Sequence, residues 1–379
     1  MFKKSLAAIA VLGTAAGFAC AADVTLYGVV DEGFVFNQTK VEKATGATEK
    51  TNSFGLESGV SASSRFGLKG SEDLGNGLKV GFKLENGFRA DSGELKSSRR
   101  IFDREASVTL SGDFGALSMG RMGGIGSAAG TYDVVFATAD AFDGGDNAIL
   151  GLQTSDRFDN MITYQTPKFA GVQGTFQYSF KQDNKDADFT DAREGSAAAN
   201  RYMGAALNGS FGPVQAVLGY EFFNYASNNG SVAYDVEDGQ IVYLGGNYDC
   251  GFAKTFVMAQ YFKDLSGDQL NAVSNDVFAG DNTYEGYGLH LGTQFAALAG
   301  DFTIGAYYVD GNTVEDNSAF ERDLTYYGVG ARYEYALSKR TGLYTGVGYG
   351  KTTLDAANAG EHDTVAKVTQ AYAGLVHKF

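Results

Sequence analysis

The chain closes with Lys367-Val-Thr-Gln-Ala-Tyr-Ala-Gly-Leu-Val-His-Lys-Phe379, an extended, half-apolar stretch without helical periodicity. A soluble domain gains little from an unprotected alternating strand whose last side chain is a large aromatic ring. A closed barrel in a bacterial outer membrane does gain from it, because its last strand must pair with its first and the outward aromatic ring meets the lipid interface. The ending therefore predicts a chain that crosses a membrane as strands.

Residues 1–22 are typical of a cleaved secretory signal. Two lysines form a basic start, an apolar segment spans Leu6–Phe18, and Ala19-Cys20-Ala21 supplies the small residues of a cleavage site, with cleavage after Ala22 also acceptable. The apolar segment is shorter than the roughly 20 residues that a membrane-spanning helix needs. We therefore expect an exported chain whose folded domain is residues 23–379.

The composition narrows the class of protein. Cleavage after Ala22 removes two lysines and no acids, so the mature chain carries a formal charge of 28 − 45 = −17, which argues against nucleic acid as a partner. Cys250 then stands alone, so no intramolecular disulfide is expected. Many glycines and aromatic residues with almost no proline suit strands and turns, either in a barrel or in a secreted all-β sandwich. Periodicity has to decide between the two.

Apolar and polar side chains alternate along several segments, which is the pattern of a strand with one face toward lipid and the other toward water. In Gly77–Arg89, for example, Leu78 and Phe82 alternate with Lys79 and Lys83. The same alternation occurs in Arg157–Thr166, Gly171–Gln182, Phe302–Tyr308 and Thr325–Tyr335.

The connections between these segments alternate in length. Short turns are predicted near 72–76, 112–114, 166–170, 211–213, 249–251, 296–300 and 337–341, and long polar loops near 37–58, 91–97, 122–156, 183–200, 226–238, 264–282, 311–321 and 353–364. Seven short turns and eight long loops predict an all-β, transmembrane antiparallel barrel of about 16 strands, with the turns on the periplasmic side. A barrel of that size is too wide for its own side chains to fill, so it encloses an aqueous channel.

Five groups of residues, in order along the mature chain, carry a resemblance to a known family. They are Ala22-Asp-Val-Thr-Leu-Tyr-Gly28, Ser64-Arg-Phe-Gly-Leu-Lys-Gly-Ser-Glu-Asp-Leu-Gly-Asn-Gly-Leu-Lys79, Val108-Thr-Leu-Ser-Gly-Asp-Phe-Gly115 with Gly120-Arg121, Tyr335-Ala-Leu-Ser-Lys-Arg-Thr-Gly-Leu-Tyr344, and Gly374-Leu-Val-His-Lys-Phe379. Together they resemble the trimeric general porins of Gram-negative outer membranes, in the version typical of neisserial and related proteobacteria.

The resemblance implies a homotrimer of 16-stranded barrels in outer-membrane lipid and lipopolysaccharide, each with its third loop folded into the pore. It also implies that Phe379 belongs to the signal read by the barrel-assembly machinery. The implied function is passive diffusion of ions and small hydrophilic solutes.

The stretch 122–156 contains no lysine or arginine, and it carries Asp133, Asp140, Asp143 and Asp146. A connection this long in a protein of short turns is usually functional or disordered. A solvated outer loop would explain the acids equally simply. The resemblance instead places the stretch as the constriction loop, whose acids would form one wall of the pore.

The resemblance also places a basic cluster on the facing wall, at Arg65, Arg104 and Arg157. Alternation independently turns Arg65 and Arg157 away from the apolar face. Other basic residues expected to line the pore are Lys69, Lys83 and Arg89. Alternation does not place Arg104 clearly, because the even-numbered residues that follow it are apolar, so a bulge could intervene there. These arginines could also be merely hydrated, or paired with Glu85 or Asp159. The three arginines favour anions.

Two other kinds of function are compatible with an outer-membrane barrel. An outer-membrane enzyme would need an activated nucleophile and a base, but the chain has only His290, His362 and His377 and no Gly-x-Ser-x-Gly elbow. A solute-specific channel or a surface adhesin stays open as an alternative. No metal or other cofactor is predicted, because the acid-rich stretch 183–191 lacks the glycine and terminal glutamate of a calcium loop.

Overall fold

The alternating segments pair edge to edge into one closed antiparallel sheet. A computed structural model describes residues 23–128, 130–146, 149–184, 193–196, 199–226, 237–266, 283–314, 322–357 and 360–379. The predicted signal, residues 1–22, lies outside the described residues. Within these ranges, no helix has both the length and the apolar character to cross a membrane.

The strands are β1 (Asp23–Glu42), β2 (Thr48–Ser58), β3 (Arg65–Gly75), β4 (Leu78–Gly87), β5 (Glu105–Gly112), β6 (Gly115–Gly123), β7 (Gly145–Asp146), β8 (Ile149–Leu150), β9 (Arg157–Gln165), β10 (Val172–Ser179), β11 (Arg201–Phe211), β12 (Val214–Asn224), β13 (Gly239–Asp249), β14 (Ala253–Ser266), β15 (Thr283–Ala297), β16 (Gly300–Val314), β17 (Asp323–Ala336), β18 (Thr341–Leu354) and β19 (Thr364–Lys378). A four-residue helix, α1 (Phe136–Ala139), and the β7–β8 hairpin lie in the connection between β6 and β9.

Seventeen strands form the wall, but they fill sixteen positions. Both β2 and β3 pair with the same edge of β1, since Glu32 lies opposite Ser58 and Val29 lies opposite Arg65. They are therefore one wall strand interrupted by residues 59–64. The predicted fold class, an antiparallel barrel of about sixteen strands, is confirmed.

The two faces of the wall differ as the alternation predicts. On β13, Tyr243 is fully buried on the inner face, whereas the adjacent Val242 and Leu244 are exposed on the outer face. The strand ends joined by the seven short turns lie at one end of the barrel, as do both ends of the described chain, and the strand ends that flank the eight longer connections lie at the other. The outer face therefore presents apolar side chains to lipid, and the inner face presents polar ones to the lumen.

One predicted loop is wrong. The range 37–58 was expected to be a long polar connection, but β1 continues to Glu42 and β2 begins at Thr48, so the turn is only residues 43–47. Lys40 and Lys50 lie opposite each other in this extension. Ladder hydrogen bonds need no apolar face, so a hairpin that lacks lipid-facing alternation can still continue beyond the wall.

The barrel closes where β19 pairs with β1, from Val29 opposite Lys378 to Glu42 opposite Val365. The terminal residue extends this ladder, because the Gly28 N–H donates to the Phe379 carbonyl at 3.1 Å and the Phe379 N–H donates to the Gly28 carbonyl at 3.0 Å. The Phe379 ring lies over the outer face of Gly28, where any Cβ would collide with it. A glycine is therefore required opposite the terminal ring.

Removing Phe379 should weaken this closure. The deletion removes two backbone hydrogen bonds and the ring contact, so we expect the free energy of unfolding of the folded barrel to fall by about 1–3 kcal/mol. The measurement is urea unfolding of the refolded, detergent-solubilised barrel, followed by heat-dependent gel mobility. Phe379→Tyr, which keeps the ring and the ladder, is the matched control. Equal stability of the deletion variant and the wild type would contradict the role of this contact.

Candidate functional site: the channel interior

The connection between β6 and β9, residues 124–156, contacts the inner face of the wall; we call it the third loop. Side-chain amides of the wall satisfy its backbone. The Asn247 Nδ2 donates to the Thr138 carbonyl at 2.7 Å, and the Gln294 Nε2 donates to the Ala141 carbonyl at 2.8 Å. Since buried backbone groups need partners, these inward amides allow irregular backbone to lie against the sheet.

The helix α1 packs against β12, β13 and β14. Phe136 is fully buried and meets the Tyr243 ring edge-on, with the ring centroids 5.9 Å apart. A Cβ at Gly245 would lie 2.6 Å from the Ala139 Cβ, so only a glycine on the wall lets the helix approach this closely. Apolar burial therefore holds the middle of the third loop to the wall, in addition to the hydrogen bonds.

Two of the four predicted loop acids are bound by wall side chains. The Asp140 Oδ1 accepts the Tyr307 hydroxyl at 2.7 Å, and His290 Nε2 lies 3.7 Å from it. Asp146 accepts the Tyr372 hydroxyl and forms an ion pair with Arg332 at 3.3 Å. These carboxylates attach the third loop to the wall, so they are not a free acidic surface.

The other two loop acids, Asp133 and Asp143, interact with each other. Burial and the neighbouring Asp143 carboxylate raise the pKa of Asp133 well above its usual value. Burial also raises the pKa of Asp143. Because burial and Asp143 both make Asp133 harder to ionise, Asp133 takes up a proton at a higher pH than an isolated aspartate does.

Three predicted basic residues share two carboxylates on the inner face of β4 and β5. The Arg104 Nε lies 2.7 Å from Glu85 Oε1, and the Arg65 Nε lies 3.8 Å from Glu85 Oε2. The Lys83 Nζ lies 2.8 Å from Glu105 Oε2. Arg104 precedes the first residue of β5, so alternation along that strand could not place it. Its pairing with Glu85 is the alternative that the sequence left open.

The alternation from which the position of Arg157 is predicted does not continue through β9. Asn160 has a left-handed φ of 51°. The alternation reverses there, so even-numbered side chains face the lumen before Asn160 and the outside after it. Phe158 stacks inside the barrel on Tyr202 at 4.2 Å, whereas Ile162 is exposed outside. Asp159 therefore does not share a face with Thr163. Its carboxylate forms ion pairs with the guanidinium groups of Arg100 and Arg121, at 2.8 and 2.9 Å. An irregularity of this kind in mid-strand leaves no signal in the polar and apolar pattern.

The remaining predicted basic residues lie in three different places. Lys69, with its Nζ 5.2 Å from the Tyr27 ring centroid, and Lys83 line a cavity of about 400 Å³ toward the short-turn end. Arg89 is exposed in a tight turn of the loop after β4, where its N–H donates to the Glu94 carbonyl. Arg157 is the first residue of β9 and lies close enough to Arg104 for the two positive charges to repel each other.

A cavity of about 670 Å³ separates the third loop from the facing wall. The charged residues that line it are Asp140, Asp143 and Asp146 on the loop and Arg65, Arg104, Lys254 and Arg332 on the wall. Arg157, Lys69, Lys83 and Arg89 are not among its lining residues.

Sequence reasoning missed Lys254 and Arg332. Arg332 lies on the inner face of β17, opposite the ladder of Tyr327 and Val329, so alternation could have found it. Its guanidinium also lies over the Phe142 ring at 5.3 Å. Lys254 Nζ lies 4.8 Å from the Phe256 ring centroid, and in the part of the chain that the structure describes it has no carboxylate within ion-pair distance.

Residues 59–63, within the interruption between β2 and β3, line the same cavity. They fold around Asp31, which is fully buried and accepts the Ser61 N–H at 2.8 Å and the Tyr344 hydroxyl. The Ser63 carbonyl in turn accepts Arg65 Nη1 at 2.8 Å. Asp31 therefore shapes the wall beside Arg65, a role that sequence reasoning missed.

Residues 6–355 match the Gram-negative porin family. The chain belongs to this family. It is 32% identical over 411 residues to an outer membrane porin protein of Bordetella pertussis, with all of both chains covered. It is 34% identical over 276 residues to outer membrane porin protein 32 of Delftia acidovorans, which covers 70% of this chain and 72% of that one.

A solved structure gives the same result. The anion-selective porin from Comamonas acidovorans matches 94% of this chain and 100% of its own at 28% identity, with a TM-score of 0.60. The resemblance seen in the sequence is confirmed. This porin is a diffusion channel of the Gram-negative outer membrane and is not an enzyme.

The Asp133–Asp143 pair should make ion preference depend on pH. Protonation removes negative charge from the third loop, so lowering the pH through the raised pKa of Asp133 should shift the reversal potential toward anion preference. In Asp143→Asn, Asp133 loses its acidic neighbour but stays buried, so its pKa should fall part of the way and the pH response should move to lower pH. The measurement is the reversal potential in a salt gradient across a planar bilayer. Asp113→Asn, in the exposed turn between β5 and β6, is the control; an equal pH response in both variants would count against the pair.

Proposed function

We propose that the third loop narrows the channel and that the cations of the facing wall make it prefer small anionic and hydrophilic solutes. The observation that carries this proposal is the 670 Å³ cavity, in which both charged surfaces face one gap. Opposed charges across a narrow, water-filled gap orient dipolar solutes, and low-dielectric walls strengthen their effect on ions.

The direction of the preference follows from which charges are already paired. Asp146 is paired with Arg332, and Asp140 accepts a tyrosine hydroxyl. On the wall, Lys254 is unpaired among the described residues, and Arg65 is 3.8 Å from its nearest carboxylate. The cations that keep most of their charge in the cavity are therefore Lys254 and Arg65, since Arg332 is paired with Asp146 and Arg104 with Glu85. The likeness to an anion-selective porin from Comamonas acidovorans supports the same direction.

The remaining expectations from the sequence belong to this proposal. Residues 1–22 direct export, and the mature barrel assembles as a homotrimer in outer-membrane lipid and lipopolysaccharide. The terminal Phe379 forms part of the signal for the barrel-assembly machinery, a role supported by its outward ring at the seam.

The outer face carries a stacked aromatic pair, Phe34 and Phe54, with ring centroids 5.9 Å apart, which suits burial against lipid or another protomer.

The trimer has a direct electrical signature. Purified porin added to a planar bilayer should raise the current in groups of three equal steps, because each barrel conducts separately. Native mass measurement of the same detergent sample gives an independent count of chains. Single isolated steps from a sample of monomer mass would rule out the homotrimer.

The wall cations should set the ion preference. Arg65→Gln combined with Lys254→Gln should lower the anion-to-cation permeability ratio by roughly threefold, because two positive charges leave the cavity while its acids stay. Reversal potentials in a salt gradient give this ratio. Lys168→Gln, in the exposed turn between β9 and β10, removes a charge outside the cavity and should leave the ratio unchanged. A double variant with the wild-type ratio would refute the proposed preference.

A further inference from the structure

Glu221 is a fully buried carboxylate on the inner face of β12. Two wall tyrosines donate to it, Tyr202 at 2.5 Å and Tyr243 at 2.6 Å. Among the residues that the structure describes, no lysine, arginine or histidine lies within ion-pair distance of it. A buried carboxylate without a cation persists only when hydrogen bonds replace its hydration, so these donors are essential to its position.

The other two donors come from opposite ends of the third loop. The Ser155 hydroxyl donates at 2.7 Å and the Gly126 N–H at 3.2 Å. These two loop residues also meet each other, because the Ser155 N–H donates to the Gly126 carbonyl at 2.8 Å. Glu221 therefore binds the place where the third loop leaves the wall and returns to it, which we call the neck.

The packing at the neck leaves no room for displacement. A Cβ on Gly126 would lie 2.7 Å from both the Glu221 Oε2 and the Tyr243 hydroxyl. The Ile125 N–H donates to the Tyr202 hydroxyl at 3.2 Å, so the same tyrosine holds both Glu221 and the chain beside it. One carboxylate and two tyrosines thus define the angle at which the third loop enters the barrel.

We propose that Glu221 is a positioning residue for ion selectivity, acting through the neck of the third loop. It does not line the cavity where the charges face each other. The neck fixes both ends of the segment that carries Asp140 and Asp143, so a displacement there changes the path along which this segment lies against the wall. The proposal rests on the proposed role of the third loop as the constriction.

The test compares Glu221→Leu with Glu221→Gln. The leucine removes every acceptor at the neck, so we expect the open-channel conductance to change by about 1.5- to 2-fold, with added sub-levels and a lower anion-to-cation ratio. The glutamine amide oxygen can still accept Ser155 and Gly126, and its N–H group can donate to the Tyr243 oxygen, so Glu221→Gln should stay close to the wild type. Single-channel recording and reversal potentials of the full barrel measure both quantities.

A second pair of variants keeps the test decisive if Glu221→Leu does not fold. Tyr243→Phe removes one donor from Glu221 and should increase open-channel noise. Tyr220→Phe is its matched control, since this neighbouring hydroxyl faces outside and donates to Gln240 at 3.0 Å. Folded Glu221→Leu or Tyr243→Phe barrels with wild-type sub-levels and reversal potential would overturn the proposal.

A variant in which glycines replace Asp133–Asp143 separates this proposal from the one beneath it. If that variant conducts like the wild type, the third loop is not the constriction and the proposed function fails. If it conducts differently while Glu221→Leu does not, the loop constricts the channel and Glu221 has no part in positioning it.

Discussion

Closure of the sheet is the constraint on which the rest of the structure depends. A strand in lipid has no water to satisfy its N–H and C=O groups, so a sheet that spans a membrane cannot keep a free edge. The seam between β1 and β19 removes that edge, and its ladder continues to the last residue through Gly28 and Phe379. Sixteen strand positions then enclose a lumen too wide for wall side chains to fill, which leaves room for the third loop.

The third loop, inside the barrel, also needs hydrogen-bond partners for its backbone. Its irregular backbone would lose hydrogen bonds against a flat wall, so wall side chains have to supply them. Asn247 and Gln294 donate to loop carbonyls, and Glu221 accepts at the neck. The inner face of β12 to β19 is thus largely committed to holding the loop. The cavity that remains beside the loop is lined by Arg65 of β3 and by Lys254 and Arg332 of β14 and β17.

Alternation predicted the wall because it is a repeated signal, and it failed where one residue interrupts the repeat. It found the lumen face of Gly77–Arg89 and could have found Arg332 in the same way. It could not place Arg104, which lies just outside β5, and it does not continue through β9, where the faces reverse at Asn160. Family resemblance predicted that residues 122–156 form the constriction loop, yet neither approach found Glu221, since a buried carboxylate held by tyrosines, a serine and backbone has no local pattern.

The acidic balance of the chain and the charge of its channel are separate quantities. The formal charge is −15, but many of the acids inside the barrel already have partners: Asp31 with backbone N–H groups, Glu85 with Arg104, and Asp146 with Arg332. A carboxylate that accepts hydrogen bonds from fixed donors presents little uncompensated field to a passing ion, whereas an ammonium group over a ring, such as Lys254, keeps most of its own. Acids in the outer loops lie within reach of salt, which screens them over about 10 Å. A strongly acidic porin can therefore favour anions, because selectivity depends on the few charges that the walls leave unpaired at the narrowest point.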